Sequence, residues 1–283
     1  MSPGLWGCIT AVGWGTSDFI ARFSGGAVGH HAALFGMLLT GSILLSLWVW
    51  LADARLVWET DRLWLIGLSG LSIMLATLWL YQGLARGPIS IVSPIVGSYP
   101  ALIVAFAVIG GLRPSLAEWA AMAGTMVGVA IVARSADLFA LDTSSSRDLR
   151  TTVLISLASA AAFAVGVFAA QLAVPVYGEV QTTWLSRITS LAILLLLLVW
   201  RGPPRIPARW WPAVISQGCF DTGGYLALYA GSHGDGAEIA AVTASAFGAV
   251  TTLLAWVFLR ESIGLVQWLG IAMVFAGVAV LSS

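Results

Sequence analysis

The chain has few charged residues, no lysine and no asparagine. Only 9% of its 283 residues are charged, and the thirteen acidic side chains are balanced by thirteen arginines. Soluble domains are about one quarter charged, so this set is too small to cover a water-facing surface and excludes an ordinary soluble protein. The zero net charge also excludes the basic surface with which proteins bind nucleic acids.

Cysteine and histidine are scarce as well. Cys8 and Cys219 lie in apolar segments, and His30, His31 and His233 lie in short connections. None of them has a partner at the spacing of a metal site or a disulfide framework. The sequence also contains no phosphate-binding loop, nucleophile elbow or zinc-protease motif. We therefore expect no metal, no cofactor and no catalytic residue.

Hydrophobic residues are abundant instead. They make up 59% of the chain, and the mean hydropathy is +0.94. A membrane span needs about 20 apolar residues, and charges, glycines and prolines mark where spans end. The first apolar run has no basic leader and no cleavage site, so we expect it to remain as a span. The pattern predicts an all-α integral membrane protein with ten transmembrane helices, near 4–22, 31–51, 63–84, 89–109, 116–134, 151–171, 181–200, 211–230, 238–259 and 264–282.

One polar, serine-rich linker, residues 135–150, divides the chain into halves of five spans each, residues 1–134 and 151–283. The halves are weakly similar: Trp119-(x8)-Gly128 recurs as Trp268-(x8)-Gly277. Because five is odd, the halves must enter the membrane in opposite orientations. Inverted repeats around a central cavity are typical of secondary transporters.

The arginines predict the orientation. Arg55, Arg62 and Arg113 fall on the side of the two termini. Nine others fall on the opposite side, which we call the arginine-rich side: Arg22, Arg86, Arg134, Arg147, Arg150, Arg201, Arg205, Arg209 and Arg260. Basic loops stay in the cytoplasm, so we expect the linker 135–150 to be cytoplasmic and both termini to lie outside.

Three charged residues fall inside predicted spans, namely Asp18, Arg187 and Asp221. Each costs about 2.5–3.5 kcal/mol at the centre of a span, so they are candidate functional groups. Asp18 precedes Arg22 by four residues, which is compatible with an intrahelical ion pair. Arg187 and Asp221 allow two interpretations: a structural buried pair, or a proton or substrate site that faces the cavity.

Prolines and aromatic residues give further candidates. Pro94, Gly97 and Pro100 interrupt the fourth span, and freed carbonyls at membrane depth need protein or a wet cavity beside them. They indicate a hinge, or a packing kink without a mechanistic role. The deeper aromatic residues are compatible with a cavity that binds flat apolar or cationic solutes, although Trp79 and Trp184 can equally face lipid: Trp14, Trp79, Tyr81, Tyr99, Trp184 and Tyr225. Most other tryptophans fall near span ends, as in an interfacial belt: Trp6, Trp48, Trp50, Trp58, Trp64, Trp200, Trp210, Trp211 and Trp268.

The two halves resemble the EamA-type permeases of the drug/metabolite transporter superfamily. The similarity lies in Gly87-Pro88 through Gly128, in Gly236 through Gly277, and in the opening segment 13–19. In that family a short turn carrying a glutamate precedes a glycine-rich helix. Glu261 supplies this residue in the second half, but the first-half turn, residues 111–115, lacks it.

The resemblance implies an inner-membrane exporter of small metabolites with ten helices, the fifth and tenth packing outside the cavity. The resemblance also implies amino acids as substrates, and the aromatic residues favour aromatic or hydrophobic ones, as in the amino-acid exporter branch. The sequence is compatible with a monomer in the bilayer, without an ATPase subunit. An integral membrane enzyme or a channel using Asp18 and Asp221 is the alternative. The candidate substrate-binding residues are Trp14, Asp18, Tyr81, Tyr99, Asp221 and Tyr225.

Overall fold

In the computed structural model the described residues form α-helices and short connections, with no strand among them. The described residues are 1–53, 55–86, 89–111, 113, 115–140, 146–199, 202, 204–233, 236–260 and 264–282. The helices are α1 (Pro3–Val28), α2 (His30–Leu51), α3 (Leu63–Arg86), α4 (Ile89–Val96), α5 (Tyr99–Ile109), α6 (Leu116–Ala140), α7 (Ser146–Val199), α8 (Trp211–Ala230), α9 (Ala237–Ala244), α10 (Phe247–Leu259) and α11 (Leu265–Ser282), with a short 3₁₀ helix at Ala208–Trp210.

Within the described ranges, four segments are long and apolar enough to cross a membrane: His30–Leu51, Leu63–Arg86, Arg150–Val199 and Ala237–Phe258. The third is 50 residues long, about 75 Å of helix at 1.5 Å per residue, which is more than twice the hydrocarbon core of about 30 Å. Gly178, with φ 73°, interrupts the regular geometry of α7. We call the parts before and after Gly178 the first and second arms of α7.

The predicted fourth span is broken in its middle. α4 ends at Val96 and α5 begins at Tyr99, with Gly97 and Ser98 between them. Pro100, in the first turn of α5, has no N–H to donate to a carbonyl of α4. The interruption therefore lies where the prolines and Gly97 predict one; the side chain of Pro94 lies outside the described atoms, as do Gly87 and Pro88.

The predicted ninth span is also broken, although it contains no proline. α9 ends at Ala244 and α10 begins at Phe247. The Ser245 hydroxyl donates to the Val242 carbonyl at 2.6 Å, and the Ser245 N–H lies 3.1 Å from the same carbonyl oxygen. This bonding tightens the chain into a 3₁₀-type turn, which the sequence analysis did not predict.

Glycine allows α1 to lie close to α8 and α10. A Cβ atom on Gly13 would stand 2.9 Å from the Phe220 carbonyl oxygen, and one on Gly15 would stand 2.9 Å from the Phe247 carbonyl oxygen. Thr10 lies at the same contact, with its hydroxyl 3.0 Å from the Gly224 carbonyl oxygen. Backbone approach through small residues is a usual way for membrane helices to pack.

α3 packs along both arms of α7. Ser159 of the first arm donates to the Ala76 carbonyl at 2.7 Å, and Ser190 of the second arm donates to the Gly70 carbonyl at 2.7 Å. α6 and α11 contact each other extensively. Side chains from six other helices converge on one site. We call these the central helices: α1, α3, α5, α7, α8 and α10.

Candidate functional site

A small cavity lies where these central helices meet. Its volume is about 10 Å³, which is room for about one water molecule. The lining is aromatic on one side and acidic on the other. It comprises Trp14, Asp18, Thr77, Leu80, Tyr99, Phe163, Asp221, Tyr225 and Phe247.

Trp14 is the centre of an aromatic cluster. Its ring centroid lies 4.7 Å from that of Tyr225 in an edge-on arrangement, 6.0 Å from Phe247, 6.2 Å from Phe163 and 6.4 Å from Tyr99. All are within the range of favourable ring contacts, each of which contributes about 0.5–1.5 kcal/mol beyond area burial. Five rings from α1, α5, α7, α8 and α10 thus form one wall.

The two acidic residues of the cavity have different partners. Asp221 of α8 forms a buried ion pair with Nη2 of Arg187, from the second arm of α7. Asp18 of α1 is 6% exposed, and within the described part of the chain its Oδ2 atom has no hydrogen-bond partner. The site therefore contains one neutralised carboxylate and one with an unused oxygen.

Arg187 also lies against the aromatic wall. Its guanidinium carbon is 4.7 Å from the centroid of the Tyr225 ring, a distance at which a cation is attracted to an aromatic face. Its Nη1 atom is buried with no hydrogen-bond partner among the described residues. A second small cavity lies beside it, also about 10 Å³, lined by Ile73, Thr183, Ser186, Arg187, Ser190, Tyr225 and Tyr229.

A buried glutamine lies one helical turn from Asp221, toward the Arg209 end of α8. Gln217 of α8 is fully buried, and its amide nitrogen donates to the Tyr81 hydroxyl of α3. Its amide oxygen accepts from the Ser24 hydroxyl of α1 at 2.8 Å, and Tyr81 in turn donates to the Met37 sulfur of α2 at 3.0 Å. Gln217 therefore ties together α1, α3 and α8, with α2 joined through Tyr81.

A second buried glutamine lies toward the other end of the helices. Gln171, near the end of the first arm of α7, donates to the Ala237 carbonyl at 2.8 Å and lies 3.2 Å from the Ser232 hydroxyl. In the same connection, His233 Nε2 lies 3.0 Å from a carboxylate oxygen of Glu179 in α7. The connection between α8 and α9 is thus fastened to α7.

The structure brings together most of the candidate residues. Trp14, Asp18, Tyr99, Asp221 and Tyr225 line the cavity. Tyr81 is buried next to it in the Gln217 network. The sequence analysis missed Phe163, Phe247, Gln171 and Gln217. The two glutamines could have been identified as candidates from the sequence, because a polar amide inside a span must find a hydrogen-bond partner.

The intrahelical ion pair between Asp18 and Arg22 is not formed among the described atoms: Asp18 is buried in the cavity wall, whereas the Arg22 side chain is exposed. Pro100 and Gly97 are buried at the break between α4 and α5. Glu261, the turn glutamate of the second half, and Trp200 lie outside the described residues. Trp184 is half-buried and donates to Ser46 at 2.9 Å.

Neighbouring glycines of α8 offer a matched test of the cavity wall. A Cβ on Gly224 would stand 2.6 Å from Cδ1 of Trp14, whereas one on Gly223 would contact nothing within 4 Å. We expect Gly224→Ala to lower stability by about 1–3 kcal/mol through overpacking and to displace Trp14. Gly223→Ala should raise it by up to about 1 kcal/mol through helix propensity. Thermal unfolding in detergent, read by tryptophan fluorescence, measures both; equal effects would contradict the close contact.

Comparison with known proteins agrees with this architecture. The sequence model of the EamA-like transporter family matches residues 1–134 and again residues 150–283. A crystal structure of a protein superposes with a TM-score of 0.78 at 20% identity, over 98% of this chain and 95% of that chain. No curated protein matches the chain by sequence.

The family match covers both halves of an all-helical, apolar chain. Members of the matched family are membrane transporters of small molecules, and the two matches correspond to two repeats of one unit. The chain is a multi-pass membrane protein that belongs to the EamA-like transporter family of the drug/metabolite transporter superfamily.

Proposed function

We propose that this protein exports small amphipathic metabolites, most of all amino acids with aromatic or hydrophobic side chains, across the cell inner membrane by alternating access. The observation that supports this is the cavity itself. Five aromatic rings face two buried carboxylates, of which only Asp221 is paired with an arginine among the described residues. When the cavity opens, Asp18 offers a partner for an ammonium group, and the rings offer an apolar surface for a hydrophobic side chain.

The proposed architecture has ten spans. α4 with α5 forms one span, α9 with α10 forms another, and the arms of α7 form two. Residues 1–134 and 151–283 are then inverted five-span repeats, joined by the linker 135–150 on the cytoplasmic side. The proposed hinge includes Pro94, Gly97 and Pro100, and Tyr81 joins the substrate-binding residues when the site opens.

The two glutamines are the proposed gates. A substrate the size of an amino acid needs far more than 10 Å³, so one or the other set of hydrogen bonds must break before it enters. Gln217 closes the path to the arginine-rich side and Gln171 closes the path to the opposite side. Alternating access requires that they open in turn.

We expect Gln217→Leu to favour the form open to the arginine-rich side, because leucine cannot bond to Ser24 and Tyr81. The measurement uses Thr77→Cys in a Cys8→Ala/Cys219→Ala background. A membrane-impermeant maleimide added from the arginine-rich side should label Cys at position 77 several-fold faster when Gln217 is replaced. Gln171→Leu is the matched control and should slow labelling from that side. The gate assignment is wrong if both replacements change labelling alike.

Reconstituted vesicles test the transport proposal. Purified protein should take up labelled phenylalanine, tryptophan or leucine with saturable kinetics and should support counterflow against unlabelled substrate. Runs with and without a pH gradient distinguish proton coupling from facilitated diffusion. No uptake above that of protein-free vesicles for any amino acid would overturn the proposed substrate class. Uptake that does not saturate with substrate concentration would indicate a channel instead.

A further inference from the structure

A larger cavity lies at the arginine-rich end of the molecule, away from the proposed substrate site. Its volume is about 470 Å³, within the range of about 300–1,000 Å³ that is typical of small-molecule sites. We call it the interfacial cleft. It is lined by Val28, Gly29, His30, His31, Ala32, Leu198, Gly202, Pro204 and Arg205.

The cleft combines several groups that attract an anion. Arg205 is exposed, and within the described part of the chain it forms no ion pair. His30 and His31 lie beside each other, with ring centroids 4.2 Å apart. They begin α2, so the positive end of its helix dipole is directed toward the cleft. Among the described residues, the lining of the cleft includes no carboxylate.

A lipid-facing surface adjoins the cleft. Leu198 lines the cleft, and its neighbours at the end of α7 are exposed: Leu195, Leu196, Leu197 and Val199, with 67% of Leu196 and 75% of Val199 accessible. Trp210 and Trp211 follow at the start of α8, where a tryptophan belt marks the headgroup level. By this criterion we expect Arg205 to lie at headgroup depth, next to the aliphatic end of α7.

The cleft is held in place by close packing. A Cβ on Gly36 of α2 would stand 2.3 Å from a methyl group of Val214 and 2.9 Å from Cδ1 of Ile206. The segment that supplies Pro204 and Arg205 is therefore pressed against the same helix that supplies the histidines. Arg205 and the two histidines therefore line one cleft whose two sides are packed against each other.

We propose that the interfacial cleft binds the headgroup phosphate of an anionic phospholipid, with the acyl chains along the end of α7. Arg205 pairs with the phosphate oxygens, and the polar rings of His30 and His31 lie beside the headgroup at the positive end of the α2 dipole. The adjoining aliphatic surface favours a lipid over a soluble phosphate, because a soluble ion gains nothing from it. Basic pockets between membrane helices on the arginine-rich side are suited to such headgroups.

Native mass spectrometry of the purified full chain tests this. The probes are phosphatidylglycerol and phosphatidylcholine with identical acyl chains. We expect wild type to retain phosphatidylglycerol preferentially. Arg205→Gln should lose about fivefold in retention, as expected for one cation near the membrane surface. His30→Phe/His31→Phe, which keeps two rings but removes their polar nitrogens, should also lose retention, whereas Arg205→Lys should keep most of it.

Two exposed arginines provide matched controls. Arg209→Gln lies on the same side but outside the cleft lining, and Arg55→Gln lies on the opposite side. Both should retain phosphatidylglycerol like wild type. Equal losses for Arg205→Gln and Arg209→Gln would overturn the proposal, because they would indicate general surface charge. Displacement of the lipid by millimolar inorganic phosphate would overturn the assignment to a lipid.

Discussion

Asp18→Asn is expected to reduce transport of an ammonium-bearing substrate by about ten- to hundredfold, the loss that follows when a hydrogen bond to a charged partner worth about 1.5–3 kcal/mol is weakened. The carboxylate lines the cavity, and its Oδ2 atom has no partner among the described residues. It is therefore available to a substrate or a proton. Folding should not suffer, because a neutral amide costs less to bury than a charge.

The measurement compares initial rates of uptake into vesicles with the thermal unfolding midpoint of the same preparation. Asp61→Asn, at an exposed position before α3, is the matched control and should transport like wild type. If Asp18 holds a coupling proton, the variant should still exchange labelled for unlabelled substrate but should no longer respond to a pH gradient. A variant with wild-type uptake and pH response would contradict a role in transport.

Arg187→Leu is expected to destabilise the protein by about 3–5 kcal/mol, because it leaves Asp221 buried without its partner. Arg187 is 3% exposed and Asp221 is 8% exposed, so bulk water does not solvate the carboxylate that is left behind. The guanidinium also contacts the Tyr225 ring, and that contact is lost too. We expect low yields of folded protein and an unfolding midpoint far below that of wild type.

The double variant Arg187→Leu/Asp221→Leu separates a charge effect from a packing effect. Removing both charges should restore much of the stability that Arg187→Leu loses, since an unpaired buried charge is worse than none. Arg55→Leu, at an exposed site, should leave the midpoint unchanged. If the double variant is less stable than Arg187→Leu, the ion pair is not the reason for the loss. Asp221→Asn, which keeps the shape of the side chain, then reports on transport separately.

The composition was sufficient to predict a helical membrane protein, because the lipid interior requires apolar helices. The linker 135–150 and the weak similarity on either side of it predicted the two halves. The break in the fourth span was predictable for a local reason, since Pro100 and Gly97 cannot sustain a regular helix. The break in the ninth span was not. It depends on how Ser245 bonds to Val242, and serine in a helix bonds in several ways.

The site was predictable where a residue type is costly in lipid and unpredictable where it is ordinary. Asp18, Arg187 and Asp221 are rare inside a span, so each pointed to an interior location. Phe163 and Phe247 complete the same cavity, but phenylalanine is equally at home facing lipid, and nothing in its local sequence distinguishes the two positions. The pairing of Asp18 with Arg22 followed from helical spacing alone, which does not reveal that one side chain is buried and the other exposed.

The two interrupted spans are joined to each other. The Tyr99 hydroxyl, at the start of α5, lies 3.3 Å from the Ala241 carbonyl oxygen in the last turns of α9. A side chain at the interruption of the first half thus donates to a backbone carbonyl next to the interruption of the second half. A chain cut within the linker 135–150 would yield two fragments that are not self-sufficient modules. They would have to be made together and reassemble in the membrane before either could form its half of the cavity.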